Sequence, residues 1–272
     1  MPELPEVETT IRYLESKVNG KKILSIKTSK KKPRKNLHIK NLSVIEGSTI
    51  KSVDRKAKYI VLTLKPLGYL VIHLGMSGRL KFFNNKNYIN EKHDHVVMEF
   101  FQFNVVFNDP RRFGMFFMLK DDQELNNFFQ HYGVDLLLSS INYENIFLIF
   151  QKKNVSLKQI LLDQRVFVGI GNIYANEALF HSRLHPERKS NTLSKVEIKQ
   201  LIRSCRHVLE LSLKNGGSSI NDYKSPDGTL GSFQNMFQVY QRTEVILKKK
   251  RYPVKKIVQN GRSTFFSSTL QK

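Results

Sequence analysis

Residues 59–74 read YIVLTLKPLGYLVIHL. Two runs rich in β-branched and aromatic residues flank a Pro-Leu-Gly turn, so the stretch predicts a pair of adjacent antiparallel strands. The same texture extends in both directions, through KILSIKT (22–28), RLKFF (79–83), HVVMEFF (95–101), NVVF (104–107) and MFFML (115–119). Many short strands at close spacing, with no helices between them, indicate an antiparallel sandwich or barrel. A helix precedes them. Pro5 and the acidic Glu3, Glu6 and Glu8 suit the positive end of a helix dipole, and Val7, Ile11, Leu14 and Val18 mark one apolar face.

Beyond Asp121 the pattern turns helical, and DLLLSS (135–140) reads as a linker. The best-specified helix is LSKVEIKQLIRSCRHVLELSLKNGG (193–217): Ser194 and Glu197 form a capping box, Leu193 and Ile198 a hydrophobic staple, and Gly216 the stop. GGSSINDYKSPDGTLGS (216–232) follows, too long and polar for a simple connector. The chain returns to strand character from Phe237, through the basic run LKKKRYPVKK (247–256). In QNGRSTFF (259–266) an Asn-Gly pair between β-prone runs predicts a hairpin with Arg262 beside its turn.

The 272 residues include 45 Lys and Arg against 23 Asp and Glu, a formal charge of +22. That excess points to a polyanionic partner. With no long apolar run, leader or lipidation motif, the expectation is a soluble intracellular protein with no membrane partner. The single Cys205 excludes an internal disulfide or a cysteine-based metal cluster, and its helical spacing with Ile198, Leu201, Ile202 and Leu209 makes it a small buried hydrophobe.

Several motifs admit chemistry. GIGN (169–172) lacks a third glycine and so fails as a dinucleotide fingerprint. It reads as a turn opening a helix, with or without a phosphate on its free amides. EKHDH (91–95) and His73 match no familiar metal spacing, so a strand entry or phosphate contact fits better. NDPRRFGMFF (108–117) reads equally as a surface turn or as an Arg and Phe pair that enters a duplex, with Met76 in HLGMSG a second wedge. The run SKKKPRKN (29–36) is a solvated basic loop near nucleic acid. At the start, removal of Met1 would leave the secondary amine of Pro2, with a pKa of about 8, beside the carboxylate of Glu3.

In order along the chain, MPELPEVETT, RKAKYIVLTL, HLGMSGRL, KHDHV, DPRRFG, VGIGNIYANEALF, GGSSINDY, DGTLGSFQNMFQVYQR and GRSTFF together resemble bacterial formamidopyrimidine-DNA glycosylases. The resemblance spans essentially the whole chain. It implies an α+β multidomain protein: an N-terminal antiparallel β-sandwich flanked by a helix (1–132), a linker (133–140), a helix-two-turn-helix domain with a base-capping loop (141–232), and a β-hairpin finger (233–272). It implies removal of oxidised purines through a Schiff base on Pro2, aided by Glu3, then β,δ-elimination served by Lys58 and Arg262. His93, Arg111, Lys153, Lys158 and Asn172 become DNA contacts. Met76, Arg111 and Phe113 become the side chains that fill the vacated stack, and Ser218, Ser219, Ile220 and Tyr223 the capping loop. The partner is double-stranded DNA with oxidised bases or abasic sites, met by a cytoplasmic, nucleoid-associated monomer. Leu4 stands where the oxidised-pyrimidine branch has glycine, which favours the purine branch.

One feature departs from the family. Leu247, Lys250, Ser267 and Leu270 occupy the places of four zinc-binding cysteines, so no zinc is expected. Either packing keeps a zincless finger folded, or the finger has decayed; the retained spacing, Asn-Gly turn and Arg262 favour the former. A DNA-damage-binding protein without turnover, or a glycosylase for oxidised pyrimidines, are the alternative functions.

Overall fold

The computed structural model describes residues 2–29, 42–66, 68–84, 88–138, 140–219, 226 and 228–272. The chain divides into two compact units, one of residues 1–130 with 216–232, the other of 131–215 with 233–272.

The first unit is a β-sandwich. One antiparallel sheet has the order β1 (Ser25–Thr28), β6 (Asp94–Glu99), β7 (Phe103–Asn108), β5 (Arg79–Asn84); the other runs β2 (Thr49–Lys56), β3 (Tyr59–Lys65), β4 (Tyr69–His73), β8 (Met115–Leu119). Ile60 pairs with Ile72 and Leu62 with Leu70, as expected of two strands joined by a short turn. These four share one buried cluster with Leu80, Val96, Met98, Val105 and Phe107 of the facing sheet. Helix α1 (Leu4–Val18) adds Val7, Ile11, Leu14 and Val18, so its apolar face closes the core. The other side of β3 is also covered: Tyr59 meets Phe128 and Phe129 of α2 (Asp122–Phe129) at 5.5 and 5.4 Å between ring centroids. Burial on both faces explains why YIVLTL is nearly continuously apolar rather than alternating. Strand β2 escapes the sequence pattern because a register shift between Ile50 and Ser52 breaks its alternation.

The second unit contains α3 (Tyr143–Lys152), α4 (Leu157–Leu162), α5 (Asn172–His181) and α6 (Lys195–Lys214). Residues 173–180 of α5 are all buried, which makes it the unit's central rod. The Ser194 and Glu197 capping box starts α6, and Gly216 follows its end at φ +70°. In the segment read as a linker, Val134 bridges Phe167 and Leu136 is fully buried, so it packs on the helical unit. Two hairpins complete the unit, β9 (Glu244–Leu247) with β10 (Lys250–Pro253), and β11 (Lys255–Gln259) with β12 (Arg262–Phe266). Asn260 and Gly261 both take positive φ, the geometry their pairing predicts. Lys248 and Lys249 do the same without a glycine, which is why the first hairpin is hard to see in the sequence.

Contacts group the segments as follows. The finger belongs to the helical unit, while residues 216–232 join the sandwich, because Ser218 donates from both its amide and hydroxyl to Glu6 Oε1 at 2.8 and 2.9 Å.

Candidate active site and nucleic-acid interface

In the sandwich unit the N-terminal residues are fixed before any substrate arrives. Pro2 is buried and Glu3 is 2 % exposed at the N-cap of α1. A reciprocal capping box holds them: the Glu3 side chain accepts from the backbone of Glu6, and the Glu3 amide donates to Glu6 Oε2 at 2.8 Å. Glu6 does double duty, since its other oxygen takes the two Ser218 bonds. A Cβ on Gly217 would lie 3.1 Å from that oxygen, so glycine lets the loop approach this closely. Ser218 bridges Ser232, and Ser219 Oγ accepts from the Gly231 amide, closing the neck of the long polar loop. Of the expected loop contacts, Ser218 and Ser219 thus form the neck, while Ile220 and Tyr223 lie outside the described residues, as do Met1 and the basic residues 30–36. Glu6 appears in the sequence only as a dipole partner; its position three residues after Glu3 is the capping-box signal that could have singled it out.

Lys58 follows Ala57, whose φ is +55°, in the tight turn between β2 and β3, and is 9 % exposed. Its charge reaches His73 at the end of β4. Burial first, then Lys58, pulls the His73 pKa down to about 4 against the opposing Asp109, leaving the ring neutral at neutral pH. The His73 ring lies against Tyr59, tilted, with centroids 4.6 Å apart, and its Nδ1 accepts from the Gly75 amide. This fixes the loop that exposes Met76. Arg111 and Phe113 are exposed on a neighbouring loop, the guanidinium 5.3 Å from the ring centroid. His93 is half-buried before β6. Asp94 and His95 turn to different partners, Asn108 and the Asp109 carbonyl. Among the described residues no group of three or more His, Cys, Asp or Glu is placed to hold a metal ion.

In the helical unit, Arg262 lines a cavity of about 350 Å³ together with Lys153, Gln159, Asp163, Arg165 and Asn260. Asp163 bonds Arg165 and lies 3.1 Å from Lys153 Nζ; these cations, Arg165 foremost, hold its carboxyl near a pKa of about 2. The cavity is therefore cationic at neutral pH, suited to a phosphate.

Lys158, expected as a DNA contact, is engaged with the chain itself. It is 1 % exposed, and its ammonium donates to the Ser263 carbonyl at 2.7 Å and Thr264 Oγ1 at 2.6 Å. A charged group this deep needs several acceptors, and the start of β12 supplies them. Asn172 Nδ2 donates to the same Ser263 carbonyl at 3.0 Å. Two further α5 residues, inconspicuous in the sequence, complete the frame. Asn176 Oδ1 accepts from the Phe265 amide, and the buried Glu177 carboxylate accepts from the amides of Gln238, Val239 and Tyr240. Helix α5 thereby clasps both the approach to the finger and the strand that begins with Arg262.

The four cysteine-equivalent positions do not fit zinc. Leu247 and Leu270 pack against a buried cluster of Phe180, Val239, Val245 and Phe265; Ser267 is fully buried and Lys250 is an exposed cation. Two aliphatic side chains and an ammonium give zinc no donor set. Both places are instead short turns, Lys250 pairing with Leu247 and the Leu270 amide donating to the Ser267 carbonyl at 3.1 Å. Treatment with EDTA or 1,10-phenanthroline should therefore leave the melting temperature unchanged; a fall would reveal a structural metal.

A sandwich that buries Pro2 and a separate helical unit that clasps an arginine-bearing hairpin have counterparts among known proteins. Two family models match the chain: the formamidopyrimidine-DNA glycosylase N-terminal domain over residues 1–116 and the formamidopyrimidine-DNA glycosylase H2TH domain over residues 132–224. The formamidopyrimidine-DNA glycosylase of Zymomonas mobilis is 40 % identical over 274 residues, and that of Wolbachia sp. subsp. Brugia malayi 35 % over 272, each alignment covering all of both chains. A Lactococcus lactis FPG mutant solved with Fapy-dG-containing DNA is 32 % identical, with a TM-score of 0.91 over all of both chains. The chain belongs to the formamidopyrimidine-DNA glycosylase family, the DNA-binding glycosylases and lyases of base excision repair. Among its described residues no helix is long and apolar enough to cross a membrane.

Proposed function

We propose that the chain excises oxidised purines, 8-oxoguanine and formamidopyrimidines, from duplex DNA and then cuts the strand as an abasic-site lyase. The observation that carries this reading is the N-terminal constellation: Pro2 and Glu3 are buried in a capping box whose second carboxylate, Glu6, also anchors the neck of the polar loop. With Met1 removed, the Pro2 nitrogen attacks the sugar C1′. The bond to the base breaks, the sugar ring opens with proton transfer assisted by Glu3, and an iminium joins Pro2 to the open sugar. Lys58 serves the β-elimination that expels the 3′ phosphate. Arg262 grips the phosphates around the extruded nucleotide and serves the δ-step, with Lys153 beside it in the same cavity. His93 and Asn172 add phosphate contacts, Met76, Arg111 and Phe113 fill the space the nucleotide vacates, and the loop beyond Ser219 covers the base. Leu4, in place of the glycine of the pyrimidine branch, and the Fapy-dG-containing DNA held by the Lactococcus relative both support purine lesions.

Borohydride trapping tests the chemistry. The processed protein on duplex DNA with 8-oxoguanine opposite cytosine should give a covalent adduct. Intact binding without an adduct would leave a damage-binding protein, and an adduct only with oxidised pyrimidines would reassign the branch.

A further inference from the structure

Two loops present the side chains assigned to the vacated stack. Residues 74–78, between β4 and β5, carry Met76; residues 109–114, between β7 and β8, carry Arg111 and Phe113. One buried carboxylate touches both. Asp109 is 0 % exposed, its Oδ1 accepting from Ser77 Oγ at 2.6 Å and its Oδ2 from the Gly114 amide at 2.8 Å. Ser77 Oγ in turn accepts from the Arg111 amide at 3.0 Å, so a single chain of bonds runs from one loop into the other. The loops also meet backbone to backbone: a Cβ on Gly75 would lie 2.5 Å from both the Gly114 nitrogen and the Phe113 carbonyl carbon. From behind, His95 Nε2 donates to the Asp109 carbonyl at 2.9 Å, fixing the backbone that bears the carboxylate.

We propose that Asp109, acting through Ser77, is a positioning residue that locks Met76, Arg111 and Phe113 into one preformed wedge. Opening of paired DNA depends on this lock and the chemistry at the sugar does not. The inference rests on the glycosylase and lyase reading above. Its physical basis is that extruding a nucleotide from a stacked duplex must be offset by inserted side chains, and these contribute most when no freedom is lost on insertion. Asp109 suits the task because it accepts from two donors at once. A carboxamide has one acceptor oxygen, so it would face either Ser77 or Gly114 with an NH₂ group.

Asp109→Asn and Ser77→Ala, the second sparing the Gly114 bond, should be compared on two substrates under single-turnover conditions. One is duplex DNA with 8-oxoguanine opposite cytosine; the other is single-stranded DNA with an abasic site, where nothing has to be unstacked. The expected result for each variant is at least a tenfold loss on the duplex with cleavage of the single strand within twofold of wild type. Equal losses on both substrates, or no loss on either, would overturn the proposal. Wild-type protein failing to cleave the single-stranded abasic site would instead overturn the lyase reading and take the inference with it.

Discussion

On the proposed mechanism, Glu3→Gln should lower the single-turnover rate of 8-oxoguanine release by about 10²- to 10⁴-fold, the span expected when a positioned acid-base group is lost. Borohydride adducts with a preformed abasic site should persist, because there the base has already gone and the proposed Pro2 nucleophile remains. Folding is spared, since the glutamine carbonyl still accepts the amide bond that the Glu3 carboxylate accepts at the helix start. Parallel loss of both reactions would mean that Glu3 serves only to build the N-terminus. Glu6 gives the contrasting case: its removal frees Ser218 as well as the Glu3 amide, and so disturbs the loop neck along with the cap.

Lys158→Met should lower the rate of lesion excision by about 10- to 100-fold, the scale on which a displacement of around 1 Å acts on a catalytic constellation. It does so by loosening the Ser263 and Thr264 anchors beside Arg262, not by deleting a DNA contact. The salt dependence of duplex binding separates these causes. Arg262→Ala should reduce the slope of log K against log salt by about 0.9, the value of one phosphate contact. Lys158→Met should leave the slope at its wild-type value. A matching reduction in the lysine variant would restore Lys158 as a phosphate ligand and refute the buried anchor.

Local patterns carried much of this fold. Apolar alternation and turn residues revealed most strands of the sandwich, and the Ser194 and Glu197 pair marked the start of α6. Features that depend on long-range partners were silent. A lysine in SLKQIL looks like any surface cation until β12 folds over it, more than a hundred residues later in the chain. Glu177 likewise resembles an ordinary helical glutamate, yet three backbone amides converge on it; burial, the dominant effect, raises its pKa. The first finger hairpin was hidden because its two turn lysines adopt a conformation usually signalled by Asn-Gly. At the candidate site, Pro2 and Arg262 carried local signals, a potential secondary amine and an Asn-Gly turn, whereas Lys58 stood out only through its whole motif, because it has no local pattern of its own.

The apolar finger also bears on when the protein can work. Zinc thiolates are nucleophilic and oxidisable, so a finger built on them can lose its metal under the same oxidants that damage guanine. Here Leu247 and Leu270 present nothing to oxidise at those positions. The chain's one thiol, Cys205, is buried, and burial raises its pKa to about 12, which keeps it protonated and unreactive. On the proposed function, a finger packed in this way would keep its fold under the same peroxide stress that raises the burden of oxidised purines.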